Sequence, residues 1–193
     1  EIIVVDNNSN YESVSIVKHF IQDPLLNSNE SRNYTNIKIC NIENYTPGIA
    51  LNKGVQEASR DYVLVISAHC VLKKINLNNL IEKLENYIGV FGNQNPIWNG
   101  KKINKRYLWS HFIDTEKENM FSDLENRYFF HNGISFFKKE KLKKHPFHEH
   151  LLGKEDRYWI NERVKEGYKF LYEPKLSVHH HYTPNGNTWK GIG

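Results

Sequence analysis

The strongest constraint on this chain is a hydrophobic period that keeps switching between strand and helix. Ile2-Ile3-Val4-Val5 is an unbroken apolar run that stops at the polar turn Asp6-Asn7-Asn8-Ser9. A helical stripe of Val14, Val17, Phe20 and Ile21 follows, with Ser13 as its expected cap. The alternation recurs with Ile37-Lys38-Ile39-Cys40 and a helix from about Pro47 carrying Ile49, Leu51 and Val55. It recurs again with Tyr62–Ile66, which ends in Ser67-Ala68-His69-Cys70, and a helix over 77–87 with Leu80, Ile81 and Leu84 on one stripe. Continuous apolar runs suit strands covered on both faces. Strand-then-helix repetition therefore predicts an α/β fold: a three-layer α/β/α sandwich around a mostly parallel central sheet with right-handed crossovers.

The second half is less regular. A strand is expected over 88–92, a helix near Tyr107-Leu108-Trp109 and Phe112-Ile113, a turn at Asn132-Gly133 and a strand over 134–137. A helix from about Lys154 to Glu166 should end with Gly167 as a left-handed cap. Two short strands, 168–172 and 176–180, precede a polar tail, 182–193, that reads as a frayed end or a lid. At 193 residues, without internal repeat or linker, the chain is expected to form one domain.

Composition narrows the function. No stretch approaches the roughly 20 apolar residues of a membrane span. Residues 1–70 hold 5 Lys/Arg against 8 Asp/Glu, and residues 71–193 hold 21 against 14, so the basic excess is one-sided. Such a skew suits a phosphorylated ligand or an anionic membrane surface, or is simply a solvated lysine face. No zinc-finger spacing, RNA-binding aromatic motif or basic zipper accompanies it, which argues against nucleic acid. Cys40 and Cys70 lack metal-like spacing and suit a reducing, cytoplasmic compartment, with their pairing left open. His148-Glu149-His150 fails the zinc-protease helix pattern because Leu152 stands where the second histidine is needed. A phosphate-binding glycine loop and a G-x-S-x-G elbow are both missing.

Ligands of open parallel sheets bind beyond the carboxyl ends of strands. Asp6-Asn7-Asn8-Ser9 and Ser67-Ala68-His69 occupy two such ends, although turn chemistry alone also accounts for the first. Asp156 shares an i, i+4, i+8 stripe with Ile160 and Val164 and should point inward from a helix start. A poorly solvated carboxylate there suits a general base, or else serves only the helix dipole. In His179-His180-His181, strand alternation separates His180 from its two neighbours, so one face at most meets a given metal.

In order, these pieces resemble the inverting family-2 glycosyltransferases of the GT-A fold. The matching text is Val4–Ser9, Gly48–Gly54 running to Ala58, Asp61–His69, Lys154-Glu155-Asp156 through Arg163, Gly167-Tyr168, Tyr172-Glu173-Pro174 and His180. The resemblance implies that residues 1–94 bind a nucleotide-sugar donor and residues 95–193 bind the acceptor and carry the catalysis. Asp6, with Asn8 and Ser9, would hold the base; Asn52, Lys53, Ser67 and His69 would line the donor pocket. Asp156 would be the catalytic base, with Glu155 supporting the helix start and the acceptor. Such enzymes commonly use Mn2+ or Mg2+ bound by a D-x-D motif and a late histidine. Here Ser67-Ala68-His69 replaces both carboxylates, a variant found with a Gly-x-Gln-x-Pro stretch like Gly92–Pro96, so His69 and His180 would hold a softer ion, or the basic half would neutralise the diphosphate without metal. The acceptor would be a surface glycan or lipid-linked glycan, with peripheral contact at the inner face of the cell membrane. The family's usual earlier strand, ending in a Pro-x-x-Asn-like turn, has no match, so the first family strand is expected to be missing. Two other readings compete: a non-catalytic homologue that binds glycan or a partner protein, and a nucleotidyltransferase, which lacks its glycine-rich loop here.

Overall fold

The computed structural model describes residues 1–22, 36–73, 75–98, 100–102 and 111–181. Of the helix expected near Tyr107-Leu108-Trp109 and Phe112-Ile113, the first part lies outside them, as does the tail 182–193, and Phe112-Ile113 form no α-helix. In chain order the elements are β1 (Ile2–Asp6), α1 (Tyr11–Gln22), β2 (Ile37–Asn41), α2 (Pro47–Glu57), β3 (Tyr62–Ile66), β4 (Cys70–Leu72), α3 (Leu77–Lys83) and β5 (Gly89–Trp98). They continue with β6 (Lys101–Lys102), β7 (Lys117–Glu118), β8 (Phe121–Ser122), β9 (Arg127–Tyr128), β10 (Ile134–Lys138), α4 (Lys139–Lys144), α5 (Glu155–Lys165) and β11 (Phe170–His181).

Local chemistry accounts for the helix starts. Thr46 caps α2 by accepting the Ile49 N–H at 3.1 Å, with Pro47 preset for the first turn. Asn76 does the same for α3. The cap of α1 is Asn10, whose side chain accepts from Ser13 N at 3.1 Å; Ser13 sits inside the first turn rather than capping it. At the other end of α5, Gly167 adopts φ +90°. Its N–H bonds to Val164 O while Tyr168 N reaches Arg163 O, the paired 5→2 and 6→1 bonds that end a helix on a left-handed residue.

The central sheet is mixed, which corrects the mostly parallel expectation. Its order is β3-β10-β5-β11-β4, with β6 beside β5 and β7 beside β11. Only β5 and β11 run parallel within it; β10 is antiparallel to both its neighbours, and β4 is antiparallel to β11. An apolar run such as Ile134–Phe137 reads the same in either direction, so periodicity carries no information about strand polarity. The stretches expected as two strands at 168–172 and 176–180 form the single β11, whose register against β5 shifts between Glu173 and Ser177. β1 and β2 pair in parallel as a separate ribbon, and among the described residues β1 bonds only to β2 and β3 only to β10.

Strand alternation divides the core into two layers. Phe91, Phe137, Phe170 and Tyr172 face α2, α4 and α5, packing with Val55, Leu142, Trp159 and Ile160. Their sequence neighbours Val90, Phe136 and Leu171 face the opposite way, toward Leu80 and Leu84 of the α3 segment. The expected three layers are therefore present around the mixed sheet. The aromatic side is dense: Phe91 lies 5.0 Å from Phe130 and 5.1 Å from Tyr172, ring centre to ring centre, and Trp159 lies 5.5 Å from Phe137. Such tilted and edge contacts favour the ring quadrupoles as well as burial. No helix among the described residues is long and apolar enough to cross a membrane.

Candidate active site

The site forms where the end of β3, the turn before β10, the start of α5 and the end of β11 converge. Backbone bonds make the first junction: Ser67 N donates to Gly133 O at 3.2 Å and Ser67 Oγ to Asn132 O at 3.4 Å. The Asn132-Gly133 turn then reaches α5, because Asn132 N donates to Asp156 Oδ2 at 3.3 Å. Ser135 Oγ, on β10, donates to Asn132 Oδ1 at 2.9 Å and fixes that side chain. His131 Nδ1 lies 3.7 Å from the same Asp156 oxygen.

Asp156 points inward, as the helical stripe predicts: it is buried with Trp159 and Ile160. Lys154, just before α5, takes the left-handed conformation at φ +65° and turns Glu155 and Asp156 into the interior. A lysine there pays a steric penalty of roughly 1 kcal/mol, the kind of local strain that concentrates at functional sites.

Electrostatics around Asp156 are opposed. Burial raises its pKa, while the Asn132 N–H and the Arg157 and Arg127 guanidinium groups favour its charged form. Glu155 is pushed up to about 7, first by burial and then by the charge of Asp156 beside it. The two arginines are held by Glu125, which pairs with Arg127 and lies 3.4 Å from Arg157. His131 is depressed to about 3 by burial and by those same arginines, so it is neutral at ordinary pH. Tyr45, in the loop before α2, feels Glu155 and is raised mainly by burial.

The histidine side of the site is built by β4 and β11. His181 N donates to His69 O at 2.9 Å, and the His69 and His180 rings lie 4.5 Å apart. Cys70 pairs opposite His180 in the antiparallel ladder. Among the described residues, His69, Cys70 and His180 are the one group of three ligating side chains that converge, with ligand atoms within 4.8 Å of one another. Burial lowers the pKa of both imidazoles, His180 to about 3, and raises the Cys70 thiol to about 12. His131 lies close enough to His180 to influence its titration, which joins the histidine side to the Asp156 side. Cys40 and Cys70 are both free.

The other expected site residues make contacts of their own. Asp6 ends β1 and accepts the Ser9 N–H at 3.2 Å, closing a turn in which Asn8 is left-handed at φ +49°. Asn52 is committed to the loop after α4: its amide donates to Phe147 O and Glu149 Oε1, and its carbonyl accepts from Phe147 N, each at 2.9 Å. Lys53 pairs with Glu57 one helical turn away at 2.7 Å. Sequence reasoning missed Asn132, His131, Arg127, Arg157, Cys70 and Gln94. Gln94 carried a signal, since it stands in the Gly-x-Gln-x-Pro stretch; its Oε1 contacts His180 Nδ1 at 2.7 Å.

The sequence model of glycosyl transferase family 2 matches residues 1–145. Among solved structures, Staphylococcus aureus TarS 1-349 in complex with UDP-GlcNAc superposes with a TM-score of 0.66 at 18% identity, over 96% of this chain and 50% of TarS 1-349. GalNAc-T7 with UDP, GalNAc and Mn2+ superposes with a TM-score of 0.67 at 15% identity, over 96% of this chain and 38% of that one. The chain thus spans half or less of these proteins, and at such identities the likeness is one of GT-A fold. No curated protein matches the sequence.

Proposed function

The chain belongs to glycosyl transferase family 2, and from that premise we propose that it moves a sugar from a nucleotide-diphosphate donor onto an acceptor hydroxyl with inversion. The observation that carries this reading is the placement of a buried carboxylate, Asp156, on the same strand-end cluster as Ser67 and the His69–His180 pair. UDP-GlcNAc in TarS and UDP in GalNAc-T7, on the same fold, support a nucleotide-sugar donor.

In this mechanism Asp156 takes the proton of the acceptor hydroxyl as that oxygen attacks the anomeric carbon. The new C–O bond forms on the face opposite the diphosphate, whose C–O bond breaks. The Asn132 N–H and the Glu125-held arginines oppose the burial that raises the Asp156 pKa, and Glu155 stands beside it at the helix start. Asp6, Asn8 and Ser9 bind the base, with Ser67 and His69 toward the diphosphate; Asn52 and Lys53 shape that pocket from behind through the 147–149 loop and α2. Residues 1–94 form the donor half and 95–193 the acceptor half. The acceptor is a surface or lipid-linked glycan, which the basic charge of residues 71–193 brings to the cytoplasmic face of the membrane.

The metal expectation meets a misfit. Mg2+ demands oxygen ligands, and the convergent side chains are two imidazoles and a thiol. No step above uses a metal. The lost carboxylates at 67–69 favour one alternative, a homologue that binds glycan or a partner without catalysis.

Calorimetry with UDP-, GDP- and dTDP-sugars should give heat for one base, and transfer or donor hydrolysis should fall about 10²–10⁴-fold in Asp156→Asn. Nucleotide binding with turnover untouched by that substitution removes Asp156 from the mechanism, and no binding at all rejects the reading.

A further inference from the structure

We infer that His69, Cys70 and His180 form a site for a soft divalent ion of the Zn2+ class, with Gln94 as the group that orients it. The antiparallel pairing of β4 with β11 sets Cys70 directly opposite His180, which places both side chains on one face of the sheet. The His181-to-His69 backbone bond, at 2.9 Å, clamps the preceding residue to the same strand and brings its ring over His180. Three ligand atoms therefore gather within 4.8 Å. A tetrahedral Zn2+ with Zn–N of about 2.0–2.1 Å and Zn–S of about 2.3 Å holds its ligands roughly 3.3–3.8 Å apart. Side-chain rotation of about 1 Å closes the difference.

The donor set decides the ion. Imidazole nitrogen and thiolate sulfur favour Zn2+, Co2+ and their like, whereas Mg2+ and Mn2+ favour carboxylate, carbonyl and water oxygens. Thus the exchange of two carboxylates for Ser67-Ala68-His69 amounts to a change of metal class once Cys70 is counted.

Gln94 supplies the second part of the argument. Its Oε1 is an acceptor, so the 2.7 Å contact assigns the His180 proton to Nδ1 and leaves Nε2 as the ligating nitrogen. The glutamine is itself fixed, being 2% exposed and lying against Gly133, where a Cβ would stand 2.5 Å from its amide nitrogen. Metal-bound histidines are oriented by such a partner in just this way. With three protein ligands, one coordination position is open to an outside oxygen, as in reactive rather than structural zinc centres. Assigning that oxygen to the donor diphosphate rests on the transferase reading; the metal site itself does not.

The test is a titration of the metal-free chain with Co2+, followed by displacement with Zn2+. One equivalent should bind, with the visible absorption of tetrahedral cobalt and a near-ultraviolet thiolate charge-transfer band, and excess Mg2+ or Mn2+ should not displace it. Cys70→Ser should abolish the charge-transfer band and Cys40→Ser should leave it intact. Gln94→Ala should weaken Zn2+ binding about 10–100-fold. Absence of stoichiometric binding, or a band that survives Cys70→Ser, overturns the site. A UDP titration separates the two readings. Nucleotide binding without Zn2+ binding overturns the metal site and leaves the transferase standing, whereas Zn2+ binding without nucleotide binding does the reverse.

Discussion

The β1–β2 ribbon and the β5–β10–β11 sheet are built from similar residues yet packed very differently. Ile3, Val4 and Val5 of β1 are all half-buried, while Val90 and Phe91 of β5, Ile134 and Phe137 of β10 and Phe170 of β11 are sealed from solvent. The ribbon rests on α2, where the position of Gly54 faces Val5, and on the Glu1 carboxylate, which accepts from Ser59 N at 2.7 Å. The sheet is locked by aromatic rings on one face and aliphatic side chains on the other. The difference teaches that burial is uneven: the sheet strands are sealed from solvent, and the proposed base-binding turn, Asp6–Ser9, hangs from the lightly packed ribbon.

The largest expected effect is in the sheet layer. Trp159→Ala removes a fully buried indole whose Nε1 donates to His145 O at 2.6 Å, and should cost about 3–5 kcal/mol in urea unfolding. A loss under about 1 kcal/mol would erase the contrast between the two regions.

The next effect comes from the carboxylate pair. Both Glu155 and Asp156 have pKa values raised in the folded state, so folding takes up protons there. Their contribution is fully favourable below the ordinary carboxylate range and is lost as pH rises through about 7 for Glu155. Glu155→Gln should therefore gain thermal stability over the unmodified protein at pH 8 and lose that advantage at pH 4. A melting difference independent of pH would contradict the burial argument.

The smallest effect belongs to the ribbon. Val4→Ala, at a half-buried position, should cost about 1 kcal/mol. Amide hydrogen exchange over 2–6 should quicken while β5 and β10 stay protected. Global loosening of the sheet by this substitution would show that the two regions unfold as one.

Much of this arrangement was legible in the chain itself. The apolar runs before Asp6 and Ser67 marked real strands, the Asp156–Ile160 spacing marked a real inward face, and Gly167 marked a real helix end, because each depends on local geometry. Strand polarity was illegible, since Ile134–Phe137 is equally apolar in both directions. Asn132 and Cys70 were illegible as site residues for another reason: Asn132 lies 24 positions from Asp156, and Cys70 meets His180 only through strand pairing, whereas the Gly-x-Gln-x-Pro stretch did mark Gln94. Asn10 and Ser13, three positions apart, both carry cap-competent oxygens, and only hydrogen-bond geometry distinguishes the acceptor from the donor.

The register shift between Glu173 and Ser177 sets the phase of everything downstream of it. Because β-strand side chains alternate, adding or removing one residue within that short interval would rotate the run of three imidazoles by half a period, presenting His179 or His181 where His180 now stands. A local irregularity in a ladder thereby acts as the indexing notch for which imidazole the cleft receives.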